Sequence, residues 1–516
     1  MNVKWARPFQ QVVASTNFKE HWPGLLSLFA LLFIYTGSLQ WQINGSGSDY
    51  AIDSGEMQVA LNLWGTIHYT GYPQFTILSA ALTGLGKGLG LEPAAAASAT
   101  SVVWMLSGLA LVYAILRRLA VDSLLAAALV LALGLVETVW MHAVIVEVYA
   151  FSFLLLAAQV FLALSLADEW RDRTWFGLVL LMGTAVSHHR LLVFALPGLA
   201  MVVWRRPSRW EWRFWLKSGV VFLLPFLAYL YLPLRAWGHG RWLYGDPGRW
   251  AGFWAQFFAA EVPDFLFVRP QSVADWLANS QTLWAGMTAQ APGIFWLAGL
   301  AGLLWLARRH RQQAGALLLV FAALLAFAWV YPRAVWLPAT LLLPLLPAAV
   351  GVGVLVGELG RKRMWVRAGL LVGLLVGAGG LWRQNMGAVT AVSQDPSSMQ
   401  LVERLRPLST GTLAIPWGTD YFAAAYGLYV TGDLSGFTLV DHRADFDAIV
   451  ATEGQLLTPD YYLGNWPYES WRQRWGSAFL STAVPGVTAI SPQPLHQAIP
   501  SGVNFEMGNG VRIRQT

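Results

Sequence analysis

Long apolar runs, separated by short polar stretches, set the pattern of the chain. They cover approximately 25–39, 95–116, 121–139, 142–167, 174–188, 190–204, 214–234, 293–307, 314–332, 334–357 and 364–382. A helix needs roughly 20 predominantly apolar residues to cross a bilayer. The pattern therefore predicts a mainly α-helical, polytopic membrane protein of about eleven transmembrane helices. The run at 25–39 has no small-residue cleavage site before the next polar stretch, so it reads as a first span and not as a removed signal peptide. The segment 74–90 is apolar but Gly-rich and holds Lys87, the mark of a re-entrant or interfacial piece.

One interruption stands out. From Asn44 to Pro73 the chain reads NGSGSDYAIDSGEMQVALNLWGTIHYTGYP and carries Asp49, Asp53, Glu56 and His68. DSGE has the form of a capping box, with Asp53 at the N-cap and Glu56 three positions later, ahead of the amphipathic run MQVALNLW. HYTGYP reads in the first instance as a turn. Asp53 and Glu56 thus have a structural reading of about equal weight to a chemical one.

Composition agrees with a membrane protein: 56% hydrophobic residues and 12% charged ones, with a mean hydropathy of +0.49, lie outside the range of ordinary soluble enzymes. No cysteine is present, which excludes disulfides and thiolate metal sites. Of the net charge of +6, the placement says more than the sum. With a cytoplasmic N-terminus and one crossing per run, five basic clusters fall on the cytoplasmic side: Arg117/Arg118, Arg171/Arg173, Arg205/Arg206/Arg209/Arg213, Arg308/Arg309/Arg311 and Arg361/Lys362/Arg363. Displacing the count by one span scatters them. The acid loop 44–73 and a long segment 235–292 then face the other side. These arginines are topology signals, so no nucleic acid is assigned as a partner.

Ionisable residues inside membrane segments are costly and mark functional sites. Here they gather at the extracytoplasmic ends: Glu137, His142 and Glu147 in WMHAVIVEVYAF, and His188, His189 and Arg190 in GTAVSHHRLL. Arg235 ends YLYLPLR and Arg333 lies in YPRAVW. Taken singly, each histidine reads better as an interfacial residue, and each arginine could equally snorkel to headgroups. Their convergence on one depth beside Asp53 and Glu56 predicts a site at the outer membrane boundary. No HExxH, P-loop, GxGxxG after a strand, or nucleophile elbow occurs. No metal ligand set is therefore assigned; a divalent metal is compatible with the acids but nothing demands one.

After Leu381 the composition becomes mixed. Candidate strands at 412–417, 437–440 and near 448–451, with a helix at 421–430, predict a small α/β domain over 383–516, following a transmembrane domain over 1–382. Asp420, at a strand end, reads mainly as part of a strand-to-helix turn.

DSGE followed by HYTGYP, WMHAVIVEVYAF, GTAVSHHRLL and YLYLPLRAWGHGRWLYGDPGRWAGF resembles, in matching order over roughly 25–260, a family of bacterial and animal multispanning proteins. That family was long described as a domain of unknown function, and its animal member is a transmembrane protein O-mannosyltransferase. The chain departs from the pattern at Tyr69-Thr70 and at Ser187-His188, and Arg190 is an added charge beside His189, which matches the family histidine. The resemblance implies the C-type glycosyltransferase fold and the transfer of a sugar, mannose or another hexose, from a polyprenyl-phosphate carrier to an acceptor outside the cytoplasm. It implies too that an acid of the first external loop is catalytic, here Asp53 with Glu56 beside it.

Such a transfer needs a base for the acceptor hydroxyl and cations for the departing phosphate. Asp53 is the candidate base, and Arg235 and Arg333 are the candidate phosphate ligands. His68, Tyr72, His142, Glu147, Tyr149 and His189 are candidates for orienting the sugar, the acceptor or Asp53. The donor already carries phosphate, so no nucleotide cofactor is required. The expected partners are the lipid-linked sugar, membrane lipids, and a protein, lipid or glycan acceptor, with a bacterial plasma membrane as the expected location. The alternative is a transporter or flippase for a lipid-linked or small polar substrate, but no internal repeat is visible, and transporters place their polar groups near the midplane.

Overall fold

A computed structural model describes residues 18–202, 211–260, 269–332, 337–494, 504–506 and 512–514. Among these, six helices are long and apolar enough to cross a membrane: Pro93–Arg118, Val148–Asp168, Trp212–Trp237, Arg311–Val330, Leu337–Gly360 and Met364–Leu408, the last running through the expected domain boundary at 382/383. Two bent pairs, Ser123–Gly134 with Glu137–Val144 and Val273–Gln290 with Gly293–Ala307, bring the number up to eight if each is one broken span and not a re-entrant loop, and His21–Gly37 and Arg190–Ala200 are shorter apolar helices. The chain is thus an integral membrane protein in which several apolar runs are broken helices, where the sequence predicted about eleven plain crossings. One of the six long spans is itself irregular: Trp212–Leu223 gives way at Pro225 to a 3-10 segment, Leu224–Leu230, before Tyr231–Trp237. The segment 74–90 forms a continuous helix, Pro73–Gly88.

Packing of the bundle relies on small residues, as expected where lipid offers no hydrophobic drive between helices. A side chain placed on Gly302 would lie 1.8 Å from the Gly351 carbonyl oxygen, so the helices Gly293–Ala307 and Leu337–Gly360 meet backbone to backbone.

Three helices fix the polarity of the bundle. Pro93–Arg118, Val148–Asp168 and Leu337–Gly360 each end in a charged cluster: Arg118–Asp168 at 2.6 Å, and Arg309–Glu358 and Arg361–Glu358 at 2.8 and 2.6 Å. Arg367–Asp122 at 2.9 Å lies in the same region, one residue pair from the Arg361 bond to the Ala120 carbonyl. The opposite ends of the same three helices meet the acid loop: Asn62 bonds the Pro93 carbonyl, Ser54 bonds Glu147, and Ala339 shares a cleft with Asp53. At 1.5 Å per residue, the helix Val148–Asp168 separates the two ends by about 30 Å.

The C-terminal region carries a five-stranded sheet of order β2-β1-β3-β5-β4, formed by β1 Gly411–Ala414, β2 Phe437–Val440, β3 Leu456–Pro459, β4 Phe479–Val484 and β5 Val487–Ser491. β1 pairs in parallel with β2 and β3, and β5 runs antiparallel to β3 and β4. The strand expected near 448–451 is instead part of a helix, Phe446–Glu453: Asp445 caps it by accepting from the Asp447 and Ala448 amides, and Gly454 ends it at φ +80°. Those local capping signals outweighed the β-branched run IVAT. A separate hairpin, β6 Asn504–Glu506 with β7 Arg512–Arg514, follows.

Candidate active site

The acid loop is built on its own amides. Asn44 donates to the Ser46 and Ala51 carbonyls at 3.0 and 2.8 Å, and Gln58 accepts the Asn44 amide at 2.8 Å while donating to the Gln42 carbonyl and to Ser98. These bonds seat the helix Ser54–Leu63, whose residues Ser54 to Leu61 are buried. The capping-box reading of DSGE does not hold: Asp53 occupies the N-cap position in an αR conformation and makes no side-chain cap bond. Its carboxylate is 31% exposed and faces the cleft described below.

Each of the other three residues of DSGE has a partner from a different part of the chain. Ser54 donates to Glu147 at 3.3 Å. A side chain on Gly55 would come 2.8 Å from the Phe422 Cβ, so only glycine lets the C-terminal region close on this helix. Glu56 is fully buried and binds His68 twice, accepting its amide at 2.9 Å and its Nδ1 at 2.5 Å. His68 in turn presents Nε2 to the Asp53 carboxylate at 3.8 Å. Burial alone would lower the His68 pKa, but the Glu56 and Asp53 carboxylates outweigh it and push it up to about 10. Burial holds Glu56 above the usual carboxylate range, against the pull of His68. Charge thus runs in sequence from a buried acid through an imidazolium to an accessible carboxylate. The ligand atoms of Asp53, Glu56 and His68 lie within 4.8 Å of one another; a cation could engage all three only if the Glu56–His68 hydrogen bond were given up.

A cleft of about 200 Å³ opens beside Asp53. It gathers seven of the residues singled out in the sequence: Asp49, Asp53, His68, Tyr72, His142, Glu147 and Tyr149. His189 lies just behind, its ring stacked on Tyr72 with centroids 5.9 Å apart and 5.5 Å from that of Tyr149. His188 is turned away into the core, bonded to the Val148 carbonyl. Sequence reasoning missed Tyr50, Ile52, Pro338 and Ala339, which also line the cleft. Tyr50 stands in the quoted acid loop but carries no charge to draw notice, and Pro338 and Ala339 arrive from almost 300 residues downstream.

The two arginines fare differently. Arg235 donates to the Leu63 carbonyl at 3.2 Å and does not line the cleft, so it braces the C-terminal end of the acid-loop helix. Arg333 lies outside the described residues, five positions before Pro338. Arg190 is bonded to Tyr229 and to the Val186 and Phe257 carbonyls. Asp420 accepts from both Tyr461 and Tyr462, which makes it a structural residue of the C-terminal region.

Above the loop, the segment after Arg235 returns over the site. The Thr66 amide donates to the Trp242 carbonyl at 3.0 Å, and the Tyr244 amide donates to the Thr66 hydroxyl at 2.7 Å. Trp242 stacks on Trp417 of the C-terminal region, and Tyr244 meets Trp417 edge-on and stands 6.3 Å from the His68 ring, centroid to centroid.

Comparison with known proteins adds kinship to this geometry. Residues 53–212 match the family model described as the protein O-mannosyl-transferase TMEM260 N-terminal domain. The match covers less than a third of the chain, and over this stretch the sequence is similar to that family. The match starts at Asp53 and includes every described residue of the cleft except those of the loop start and of the helix Leu337–Gly360. No curated protein sequence matches the chain. Among solved structures, the fold is similar to that of ArnT from Cupriavidus metallidurans bound to undecaprenyl phosphate, with a TM-score of 0.58 at 15% identity, over 91% of this chain and 98% of that one. The apo state of the same protein gives 0.56 at 15% identity, over 91% and 97%.

Proposed function

We propose that the protein is a membrane glycosyltransferase that moves a hexose from a polyprenyl-phosphate donor to a hydroxyl of an acceptor outside the cytoplasm, with protein Ser or Thr among the acceptor classes. The observation that carries this is Asp53: an accessible carboxylate at a helix start, free of the capping duty its sequence suggests, and backed by an imidazolium that a buried acid holds in place. A carboxylate spent on capping would be structural; this one is available. The TMEM260 family match, which includes Asp53, supports the transfer chemistry, and the solved neighbour bound to undecaprenyl phosphate supports a polyprenyl carrier.

In this reading the acceptor oxygen attacks the anomeric carbon while the bond from that carbon to the phosphate oxygen breaks. The electron pair leaves with the polyprenyl phosphate, and the acceptor proton passes to Asp53. The charge on His68 faces the carboxylate that takes the proton, and Glu56 keeps His68 charged. Glu147, anchored by Ser54, orients groups around the reacting carbon. Arg333 is the candidate phosphate ligand, since Arg235 is engaged at the Leu63 carbonyl. The basic clusters meet at the far end of the bundle from Asp53, which by the positive-inside rule supports a cleft and a C-terminal region outside the cytoplasm, with the N-terminus inside.

The test is loss of label from radiolabelled polyprenyl-phosphate mannose and glucose by purified protein, with Asp53→Asn run alongside. Release that falls about 100-fold or more in the variant is the expected result, given the usual contribution of a general base. Release by Asp53→Asn at the wild-type rate would remove Asp53 from the chemistry.

A further inference from the structure

Among the cleft residues, His142 is out of the ordinary. It is 1% exposed, yet neither ring nitrogen has a hydrogen-bond partner. Buried polar groups are nearly always paired, and one left bare calls for an explanation; this one lines the cleft. The ring is also held still. Tyr50 meets it edge-on with centroids 5.6 Å apart, and Tyr149 lies against it at 4.9 Å. Tyr50 is itself fixed, accepting from Gln290 at 3.2 Å and hydrogen-bonding Glu137, while Gln290 accepts the Thr138 amide at 3.0 Å. Four side chains therefore cooperate to hold an imidazole whose own hydrogen-bonding capacity is unused.

We infer that His142, clamped between Tyr50 and Tyr149, is a specificity-determining residue that reads the hydroxyls of the transferred sugar. This rests on the glycosyltransferase reading above and assigns the sugar subsite within it. A neutral imidazole offers one N–H donor and one acceptor nitrogen, the complement of adjacent sugar hydroxyls, each of which both donates and accepts. The tyrosine rings supply apolar surface for the C–H face of a pyranose. The carboxylates of Asp49, Asp53 and Glu147 and the His68 ring line the same cleft and offer further acceptors and a donor to the sugar hydroxyls. A donor lacking the matched hydroxyl would leave a nitrogen bare and be discriminated against, which is how buried polar groups generate specificity.

The experiment measures binding, not turnover, so that it stands apart from the role of Asp53. Undecaprenyl-phosphate mannose, undecaprenyl-phosphate glucose and bare undecaprenyl phosphate are titrated against the protein in nanodiscs, without acceptor, by intrinsic tryptophan fluorescence. In the wild type, one sugar-bearing lipid should bind about ten-fold tighter than the bare lipid, the worth of one or two neutral hydrogen bonds. His142→Phe should bring that ratio close to one while keeping affinity for the bare lipid, and His142→Asn, which restores a donor and an acceptor, should recover most of it. On the unaltered protein, a series of monodeoxy sugar donors should include at least one that loses the increment. A ratio unchanged in His142→Phe, or a deoxy series without effect, overturns the assignment. A wild-type ratio of one with the bare lipid still bound overturns the sugar subsite and leaves the polyprenyl-phosphate reading intact; no binding of any of the three lipids overturns both.

Discussion

Replacing Glu56 by Gln tests the central electrostatic claim without any assumption about substrate. The substitution keeps the size of the side chain and an acceptor for the His68 ring, but removes the charge. In the native protein His68 has a pKa of about 10 against an ordinary value of 6.5, a gap worth about 5 kcal/mol in favour of the charged ring. The sign follows from linkage. A raised folded-state pKa contributes stability that is fully present below pH 6.5 and is lost as the pH rises through about 10. The net contribution of the pair is smaller, because Glu56 gives part of it back through the cost of burying its charge. Without Glu56, only the Asp53 charge at 3.8 Å still favours the imidazolium, while burial opposes it. The His68 pKa should then fall by several pH units, into or below the neutral range. Hydrogen–deuterium exchange at the imidazole C2 position, read by mass spectrometry on the peptide containing His68, follows this directly. Wild-type His68 should show no titration between pH 6 and about 9, whereas Glu56→Gln should move the midpoint to about 7 or lower. A variant whose His68 titrates like the wild type would show that Glu56 does not set the charge of the ring, and the proposed support of Asp53 would fall with it.

Gly55→Val should push the helix Ser54–Leu63 away from Phe422, lowering the thermal midpoint by the equivalent of about 1–3 kcal/mol and reducing sugar release, with Phe422→Ala restoring part of both; a neutral Gly55→Val would mean the two regions do not close as described. Arg333→Ala should weaken binding of undecaprenyl phosphate about ten-fold or more, whereas Arg235→Ala should lower thermal stability with little effect on that affinity; the reverse pattern would exchange their roles. Because the protein has no cysteine, Ser48→Cys in the cleft wall should react with an impermeant maleimide added to intact cells, and labelling only after lysis would invert the topology.

The membrane character and the gathering of the site were legible in the sequence because both depend on pattern. Intramembrane acids and histidines are expensive enough to be placed for a reason, and Asp53, His68, His142 and Glu147 do share one cleft. What the sequence could not show was the partner of each residue. DSGE has the spacing of a capping box, with Asp in place of Ser or Thr, yet Glu56 turns to a histidine twelve residues on, because a burial site and an imidazole outcompete a single backbone amide. Arg235 looked like a phosphate ligand by its charge at a span end, and the carbonyl it binds belongs to a helix terminus that no local pattern announces. Broken helices were missed for a related reason: hydropathy registers apolar length and is blind to the 71° and 95° bends within the two bent pairs. In the C-terminal region, FTLV was read correctly as a strand, while IVAT shows that a β-branched run yields when an Asx cap and a terminal glycine frame it.

The contact between Gly55 and Phe422 ties the start of the polypeptide to a segment 367 residues later. Two further bonds cross the same gap: the Ser398 hydroxyl to the Asn44 carbonyl at 2.6 Å and the Ala94 amide to the Tyr426 hydroxyl at 3.2 Å. During synthesis, therefore, the acid loop leaves the ribosome long before the surface against which it settles has been made. A nascent chain halted between Tyr149 and Phe422 holds every titratable residue of the cleft but lacks the ceiling above Gly55. Closure of the acid loop is thereby timed to the synthesis of Phe422, and a stop codon just ahead of that residue should leave the loop as unsupported as one far upstream of it.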